Sequence, residues 1–204
     1  MLHIFDLFGV VIFAITGALQ AGRKRMDVFG AVVIGLVTAL GGGTIRDLTL
    51  DIRPIFWVGD PTYVLLGSAA AAATFLLAPA IKGPGVVLLV ADAFCLSIAT
   101  MLGLQRAYDA GVPMAIVLIM GVMTGVAGGA MRDLLCGQIP LVLQREIYAT
   151  AALAGALVFV LLKPAGLDER VVQIACSGTV LAVRLSAIYW GLSLPRFLQG
   201  RSNE

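Results

Sequence analysis

The sequence has few charged side chains. Asp, Glu, Lys and Arg make up 13% of its 204 residues, and hydrophobic residues make up 60%, whereas a soluble domain carries roughly 25% charged residues. A chain with so little polar surface cannot cover itself in water, so the composition favours a protein embedded in lipid. The net charge of +2 and the absence of a basic tail argue against a nucleic-acid partner.

Cysteine and histidine are also scarce. The three cysteines, Cys95, Cys136 and Cys176, are an odd number without the spacing of a metal site. Cys95 and Cys176 fall within apolar runs and are interpreted as small buried hydrophobic residues. The single histidine, His3, lies at the chain end, which disfavours general-base and metal-binding roles. Zinc-protease, serine-hydrolase and phosphate-loop motifs are lacking, so we expect no metal, no cofactor and no enzyme.

Seven apolar runs approach the length that crosses a bilayer, about 20 residues at a rise of about 1.5 Å each. The first is interpreted as a retained helix and not as a signal peptide, because Asp6 lies where a basic segment would be. The runs cover residues 2–20, 28–45, 63–81, 86–104, 113–131, 147–162 and 171–192. Because short connections join them, we expect an all-α integral membrane protein that forms one domain over residues 1–204.

An internal repeat relates the first three runs to the next three. Residues 42–48 (Gly-Gly-Thr-Ile-Arg-Asp-Leu) recur as residues 128–134 (Gly-Gly-Ala-Met-Arg-Asp-Leu), an offset of 86 (128 − 42). Because each copy holds three spans, an odd number, the second copy must be inserted upside down relative to the first. The sequence therefore predicts two inverted three-helix repeats, at about 1–82 and 86–164, and a seventh helix at about 171–192. In such proteins the ligand path lies at the repeat interface.

Small residues cluster in the second and fifth predicted helices. One interpretation is a stripe that lets helices pack closely. The other is a weak point where the helix kinks or unwinds, because each glycine costs a helix roughly 1 kcal/mol relative to alanine. Broken helices at matching places in two repeats point to a permeation site. The residues concerned are Gly41, Gly42, Gly43, Gly128 and Gly129, with Thr38 and Thr124 one turn before as further pore or interface candidates.

Charged residues accompany these glycines within the apolar runs. A charge deep in a span costs about 2.5–3.5 kcal/mol, so we expect each to be paired or near a headgroup. The topology predicts Asp6 beside Arg46 in the outer half of the bilayer and Asp92 beside Arg132 in the inner half. These pairs either brace the helices or stand at the mouths of a path, and Asp47 and Asp133 are competing partners.

Arg184 is a further charge, in the seventh predicted helix. About two turns separate it from the cytoplasmic end, so its side chain is expected to extend to that surface. The alternative is that it lines the path or contacts another subunit.

The distribution of Lys and Arg predicts the orientation. One side would carry Arg23, Lys24, Arg25, Lys82, Arg145, Arg196 and Arg201; the other would carry Arg53, Arg106, Lys163 and Arg170. The side with seven Lys and Arg residues is predicted to be cytoplasmic and the side with four to be external. This places the C-terminus in the cytoplasm and the N-terminus outside.

Two copies of a glycine cluster followed by Arg-Asp, in a chain of about seven spans, resemble the trimeric intracellular cation channel family in its bacterial branch. The resemblance implies a homotrimer in the bacterial inner membrane, with one pore per subunit. Helices two and five, kinked at Gly41–Gly43 and Gly128–Gly129, would line the pore, and monovalent cations such as potassium and sodium would pass. Ala127 stands where the second copy would have its first glycine, which implies a weaker kink there. The Lys-Glu-Val stretch of animal members is absent, so their lipid and calcium regulation is not expected.

Two other classes of function compete with a channel. A secondary transporter for a small solute such as an amino acid is the first alternative, because inverted repeats with broken helices suit alternating access equally well. A membrane enzyme is the weakest, for want of a nucleophile or metal cluster.

Overall fold

The computed structural model describes residues 2–78, 84–144 and 147–192. Within them all regular structure is helical. The helices are α1 (Leu2–Arg23), α2 (Val28–Thr49), α3 (Phe56–Gly59), α4 (Thr62–Leu77), α5 (Pro84–Asp109), α6 (Met114–Leu135), α7 (Leu141–Gln144), α8 (Ala149–Leu162) and α9 (Glu169–Trp190), with a 3-10 turn at Lys163–Ala165 after α8.

Five of these helices are long and apolar enough to cross a membrane: α1, α2, α5, α6 and α9. The apolar helices α4 and α8 have 16 and 14 residues, shorter than a full span requires. The all-helical membrane fold is therefore observed, while the count of seven spans stays a prediction. Four of the basic residues used to predict orientation lie outside the described residues: Lys82, Arg145, Arg196 and Arg201.

The helices pack as two groups that meet along α1, α2, α5 and α6. In the first group α1, α2 and α4 pack together, and in the second α5, α6 and α8 do so. Contacts between α2 and α6 and between α1 and α5 join the groups, and α9 packs on α5 and α8. The interface between α2 and α6 therefore lies between the groups.

The helix bounds follow the predicted repeat and add one detail. α6 begins and ends 86 residues after α2. The buried positions of α4 recur in α8 and at the residue before it, at an offset of 85 instead, since Tyr63 corresponds to Tyr148 (148 − 63). The matching sets are Tyr63, Gly67, Ala71 and Thr74, and Tyr148, Ala152, Ala156 and Phe159. The second copy is thus one residue shorter between its second and third helices.

Candidate functional site

Gly42 of α2 and Gly128 of α6 mark the closest approach of the two helices. A Cβ atom built on Gly42 would collide with the carbonyl oxygen of Thr124, and one built on Gly128 would collide with the carbonyl oxygen of Thr38. Both helices continue without interruption through their glycine clusters. The predicted unwinding is therefore not found, while the kink at these glycines stays a prediction. The contacts show that the glycines bring two backbones together.

The neighbouring glycines face side chains instead of backbone. A Cβ on Gly41 would meet the flexible methyl of Met131, and one on Gly43 would lie 2.6 Å from the Phe56 ring. On α6, a Cβ on Gly129 would lie 3.0 Å from the Tyr148 hydroxyl. The five candidate glycines thus differ in which atoms leave no room for a side chain: backbone at Gly42 and Gly128, and side chains at the other three.

A small cavity runs from the start of α1 to the crossing of α2 and α6. Its volume is about 30 Å³, room for roughly one or two water molecules. Asp6 and Arg46 line one end, and Thr38 and Thr124 line the other, where the two glycines of the crossing also lie. Each threonine hydroxyl donates to the carbonyl one turn earlier on its own helix at 2.6 Å, which leaves its oxygen lone pairs free to accept.

Arg46 and Asp6 lie at the same end of this cavity, but they do not form the predicted ion pair. Among the described residues Arg46 pairs with Asp47, with its Nη2 and Nε atoms each 2.8 Å from Oδ1. Asp6 Oδ2 accepts instead from the Tyr63 hydroxyl at 3.2 Å. The other carboxylate oxygen of Asp47 accepts from the Phe56 N–H at 3.0 Å. The buried charges of Asp6, Arg46 and Asp47, named the outer cluster after the predicted orientation, sum to −1.

Arg132 forms the corresponding cluster in the other half, and here the predicted ion pair is present. Its Nη1 atom lies 2.9 Å from Asp92 Oδ1, and its Nε lies 2.9 Å from Asp133 Oδ1. The same Nη1 lies 3.3 Å from the Thr16 hydroxyl. Asp133 also accepts from the Leu141 N–H at 2.9 Å, as Asp47 does from Phe56. Both Arg132 and Asp92 are fully buried.

Arg184 of α9 completes this inner cluster. Its guanidinium lies 4.8 Å from the centroid of the Tyr148 ring, and its side chain is buried, with 1% exposed. The expected extension to the cytoplasmic surface is therefore wrong, because the side chain turns into the bundle. With Arg184 the four buried charges of the inner cluster (Arg132, Arg184, Asp92 and Asp133) sum to zero.

The inner cluster separates the first cavity from a second one. The second cavity, of about 240 Å³, is lined by Gln20, Asp133 and Gln138 among others, and the two glutamines hydrogen-bond each other. Along α1, Phe13 lines the first cavity and Gln20 the second, while Thr16 between them contacts Arg132. A path that joined the cavities would therefore have to open this contact.

Sequence reasoning missed three residues of the site: His3, Tyr63 and Tyr148. The two tyrosines were missed because they lie 85 residues apart, whereas the rest of the repeat has an offset of 86. A comparison of the two copies without gaps therefore does not align them. His3 was set aside for its place at the chain end, yet its Nδ1 lies 3.1 Å from the Tyr63 hydroxyl. In the part of the chain that the structure describes, no cluster of three or more His, Cys, Asp or Glu side chains could hold a metal ion.

Comparison with known proteins gives consistent relatives over nearly the whole chain. A family model described as "Glycine transporter" matches two segments, residues 3–79 and 89–164, whose starts lie 86 residues apart and whose ends lie 85 apart. The UPF0126 inner membrane protein YadS of Escherichia coli K12 is 41% identical over 97% of this chain and 96% of its own length.

Solved structures match as closely. The orthologue of the TRIC trimeric intracellular cation channel from Rhodobacter sphaeroides superposes with a TM-score of 0.91 at 43% identity, covering 94% of this chain and 98% of that chain. A second structure, described as showing the structural basis for conductance through TRIC cation channels, has a TM-score of 0.89 at 36% identity and covers 98% of both chains.

Proposed function

Because the chain belongs to the bacterial branch of the trimeric intracellular cation channel family, we propose that it is a cation channel of the bacterial inner membrane. The observation that carries the proposal is the cavity between α2 and α6. Asp6 and Arg46 line its outer end, and with Asp47, the partner of Arg46, the buried charges there sum to −1. A low-dielectric passage with net negative charge at its mouth attracts cations and repels anions. The kind of relatives found favours a channel over an enzyme.

The conduction path we propose lies within one subunit. It enters at Asp6 and Arg46, passes Thr38 and Thr124 at the helix crossing, and leaves past Arg132 into the second cavity. Oxygen atoms of threonine hydroxyls suit a partly dehydrated monovalent cation such as potassium or sodium. The contact of Arg132 with Asp92 and Thr16 interrupts this path, so conduction requires that side chain to move.

We further propose one membrane domain of seven spans, built as two inverted repeats and a seventh helix. The matched bounds of α2 and α6, the two family-model segments and the reciprocal glycine contacts support the repeat. The relatives described as trimeric channels support a homotrimer. The cluster at positions 23–25 supports a cytoplasmic C-terminus and an external N-terminus.

Single-channel recording tests the proposal. Purified protein in a planar bilayer is expected to give discrete ohmic openings. In a KCl gradient their reversal potential should lie close to the equilibrium potential of potassium and away from that of chloride. Asp6→Asn makes the outer cluster neutral and is expected to lower cation conductance by about twofold or more. Asp51→Asn is the matched control, because Asp51 is an exposed carboxylate outside the cavity. Absence of openings, or equal permeation of chloride, would contradict a cation channel.

A secondary transporter is the second candidate, and one observation favours it. The inner pair of Arg132 with Asp92 is formed, whereas Arg46 pairs with Asp47 and not with Asp6, so the two ends differ in their pairing. In a carrier the two ends would exchange these states. The description of the matching family model as a glycine transporter points to glycine as the solute to test. Saturable glycine uptake into proteoliposomes without ohmic openings would favour the carrier.

A further inference from the structure

A chain of polar contacts leads from the protein surface to the outer end of the cavity. Asp60 Oδ2 lies 3.8 Å from His3 Nε2, and His3 Nδ1 lies 3.1 Å from the Tyr63 hydroxyl. That hydroxyl lies 3.2 Å from Asp6 Oδ2, and Asp6 lines the cavity. The His3 side chain is 58% exposed, whereas Asp6 is buried, so the chain of contacts crosses from water to the interior.

The positions of the protons follow from the donors available. An ionised carboxylate only accepts, so Tyr63 gives its single hydroxyl proton to Asp6. The contact between Tyr63 and His3 then needs a proton on His3 Nδ1. In the neutral ring this leaves a lone pair on Nε2, facing the Asp60 carboxylate. Protonation of Nε2 would replace that unfavourable contact by an attraction.

We propose that His3, Tyr63 and Asp6 form a proton relay that sets the charge at the mouth of the cavity. A hydronium ion gives a proton to His3 Nε2 and leaves water, the Nδ1 proton passes to the Tyr63 oxygen, and the Tyr63 hydroxyl proton passes to Asp6 Oδ2. Three bonds to hydrogen break, in the hydronium ion, at His3 Nδ1 and at the Tyr63 hydroxyl, and three form, at His3 Nε2, the Tyr63 oxygen and Asp6 Oδ2. No electrons are transferred, and His3 ends neutral. The inference rests on the proposed channel function only for its effect on current.

Other charged groups bear on the two ends of the relay. Asp6 is faced by Tyr63 of α4, by Arg46 and Asp47 of α2 and by the exposed Arg106 of α5. His3 is faced by Tyr63 and Asp60.

Asp60 lies outside the membrane-spanning helices, before the start of α4. Hydrogen bonds from Thr62, together with the nearby His3, hold the pKa of Asp60 below its usual range. This carboxylate is therefore charged wherever histidine titrates.

The consequence is that acid on the His3 side of the membrane closes the cation path. Protonation of Asp6 changes the buried outer cluster from −1 to neutral, which removes the attraction for cations at the mouth. The other end of the path has no equivalent access, because Arg132 and Asp92 are fully buried and paired.

The single histidine makes the coupling directly measurable. In protein labelled with ¹³C-histidine and held in lipid nanodiscs, the ring signals of this one side chain report which of its nitrogens carries a proton. In wild type, acidification is expected to move the ring proton from Nδ1 to Nε2, because the relay passes the Nδ1 proton on towards Asp6. In Asp6→Asn and in Tyr63→Phe the relay is broken, so the acidified ring should instead keep both protons. Asp60→Asn should shift the wild-type change to lower pH, since it removes the carboxylate that faces Nε2. Asp51→Asn, an exposed carboxylate outside the relay, is the control and should leave it unchanged. An acidified ring with the same protonated nitrogens in wild type, Asp6→Asn and Tyr63→Phe would overturn the relay, whether or not the protein conducts.

Currents test the functional consequence. Acidifying only the His3 side from about pH 8 to about pH 5 is expected to reduce wild-type cation current by about twofold or more. His3→Gln should keep the current at the higher pH and lose most of the acid response. A wild-type response in both His3→Gln and Tyr63→Phe would mean that protons reach Asp6 through the cavity, and would overturn the relay. Absence of wild-type current at the higher pH would instead count against the channel, and the ring titration would still decide the relay.

Discussion

Gly42 and Gly128 occupy equivalent places on two helices, and each lies against the backbone of the other helix. The atom that a side chain on Gly42 would strike is the Thr124 carbonyl oxygen, and for Gly128 it is the Thr38 carbonyl oxygen. Thr38 and Thr124 are themselves equivalent, 86 residues apart. The helix crossing is therefore symmetric in its contacts and has no room for a single methyl group on either side.

Alanine at either crossing glycine should force α2 and α6 apart. Gly42→Ala and Gly128→Ala are each expected to destabilise the protein by about 1–3 kcal/mol, the usual cost of overpacking, and to change cation flux. Thermal unfolding in detergent and bilayer currents measure the two effects. Gly41→Ala should cost less, because only the flexible Met131 side chain has to move.

Gly22→Ala is the matched control for these variants. Gly22 lies in the last turn of α1, and nothing lies within 4 Å of a Cβ built there. Alanine should be neutral or slightly stabilising, since it favours the helix by up to about 1 kcal/mol. If Gly42→Ala and Gly22→Ala gave the same unfolding temperature, the close approach at the crossing would be disproved.

Asp92→Asn should destabilise the protein more than the equivalent Asp6→Asn. Asp92 pairs with Arg132 where both are fully buried, and removing one partner of a buried pair costs about 3–5 kcal/mol. Asp6 has no such pair, and asparagine can still accept from Tyr63, so its loss should cost about 1 kcal/mol. Unfolding of both variants under one set of conditions measures the difference, and equal losses would contradict it.

The aspartates after the two arginines should hold the short helices α3 and α7 in place. Asp47→Ala and Asp133→Ala remove the acceptors of the Phe56 and Leu141 N–H groups. Hydrogen exchange at each of these amides is expected to accelerate by about 10- to 100-fold, as the loss of a hydrogen bond to a charged group predicts. Asp51→Ala should leave both unchanged, and unchanged exchange in Asp133→Ala would contradict the proposed anchoring.

Cysteine labelling in intact cells should report the proposed orientation. A cysteine at position 60 is expected to react with an impermeant reagent, and one at position 24 only after the membrane is opened. Background labelling should be low, because Cys95, Cys136 and Cys176 are buried. The reverse pattern would place the His3 end in the cytoplasm.

Much of the membrane fold could be predicted because glycine, charge and apolar length leave a direct signal in the sequence. The offset from Gly42 to Gly128 gave the equivalence of α2 and α6, and the cost of a buried charge gave the pair of Asp92 with Arg132. These inferences depend on residue type and spacing alone. The second and fifth predicted runs ended too early, just before Arg46 and Arg132. Both arginines lie inside their helices, because pairing with buried carboxylates offsets the cost of burying their charge.

The remaining features depend on three-dimensional contacts. Arg46 pairs with its neighbour Asp47 and not with Asp6. Residue spacing alone does not decide between these two carboxylates. The direction of the Arg184 side chain depends on the Tyr148 ring it packs against, and Tyr148 was hidden by the shift of one residue in the repeat. The contact of His3 with Tyr63 joins residues 60 positions apart, for which a single histidine gives no pattern.

The reciprocal contacts of the helix crossing have an evolutionary consequence. In an ancestor built from two separate copies of one three-helix chain, Gly42 and Gly128 would have been the same codon. A single mutation to alanine would then have placed two methyl groups against two carbonyl oxygens at once. Joining the copies in one gene lets each position change separately, with one collision at a time. The one-residue difference between the copies, and a charge balance that Arg184 alters in only one half, are the kinds of divergence that such a fusion permits.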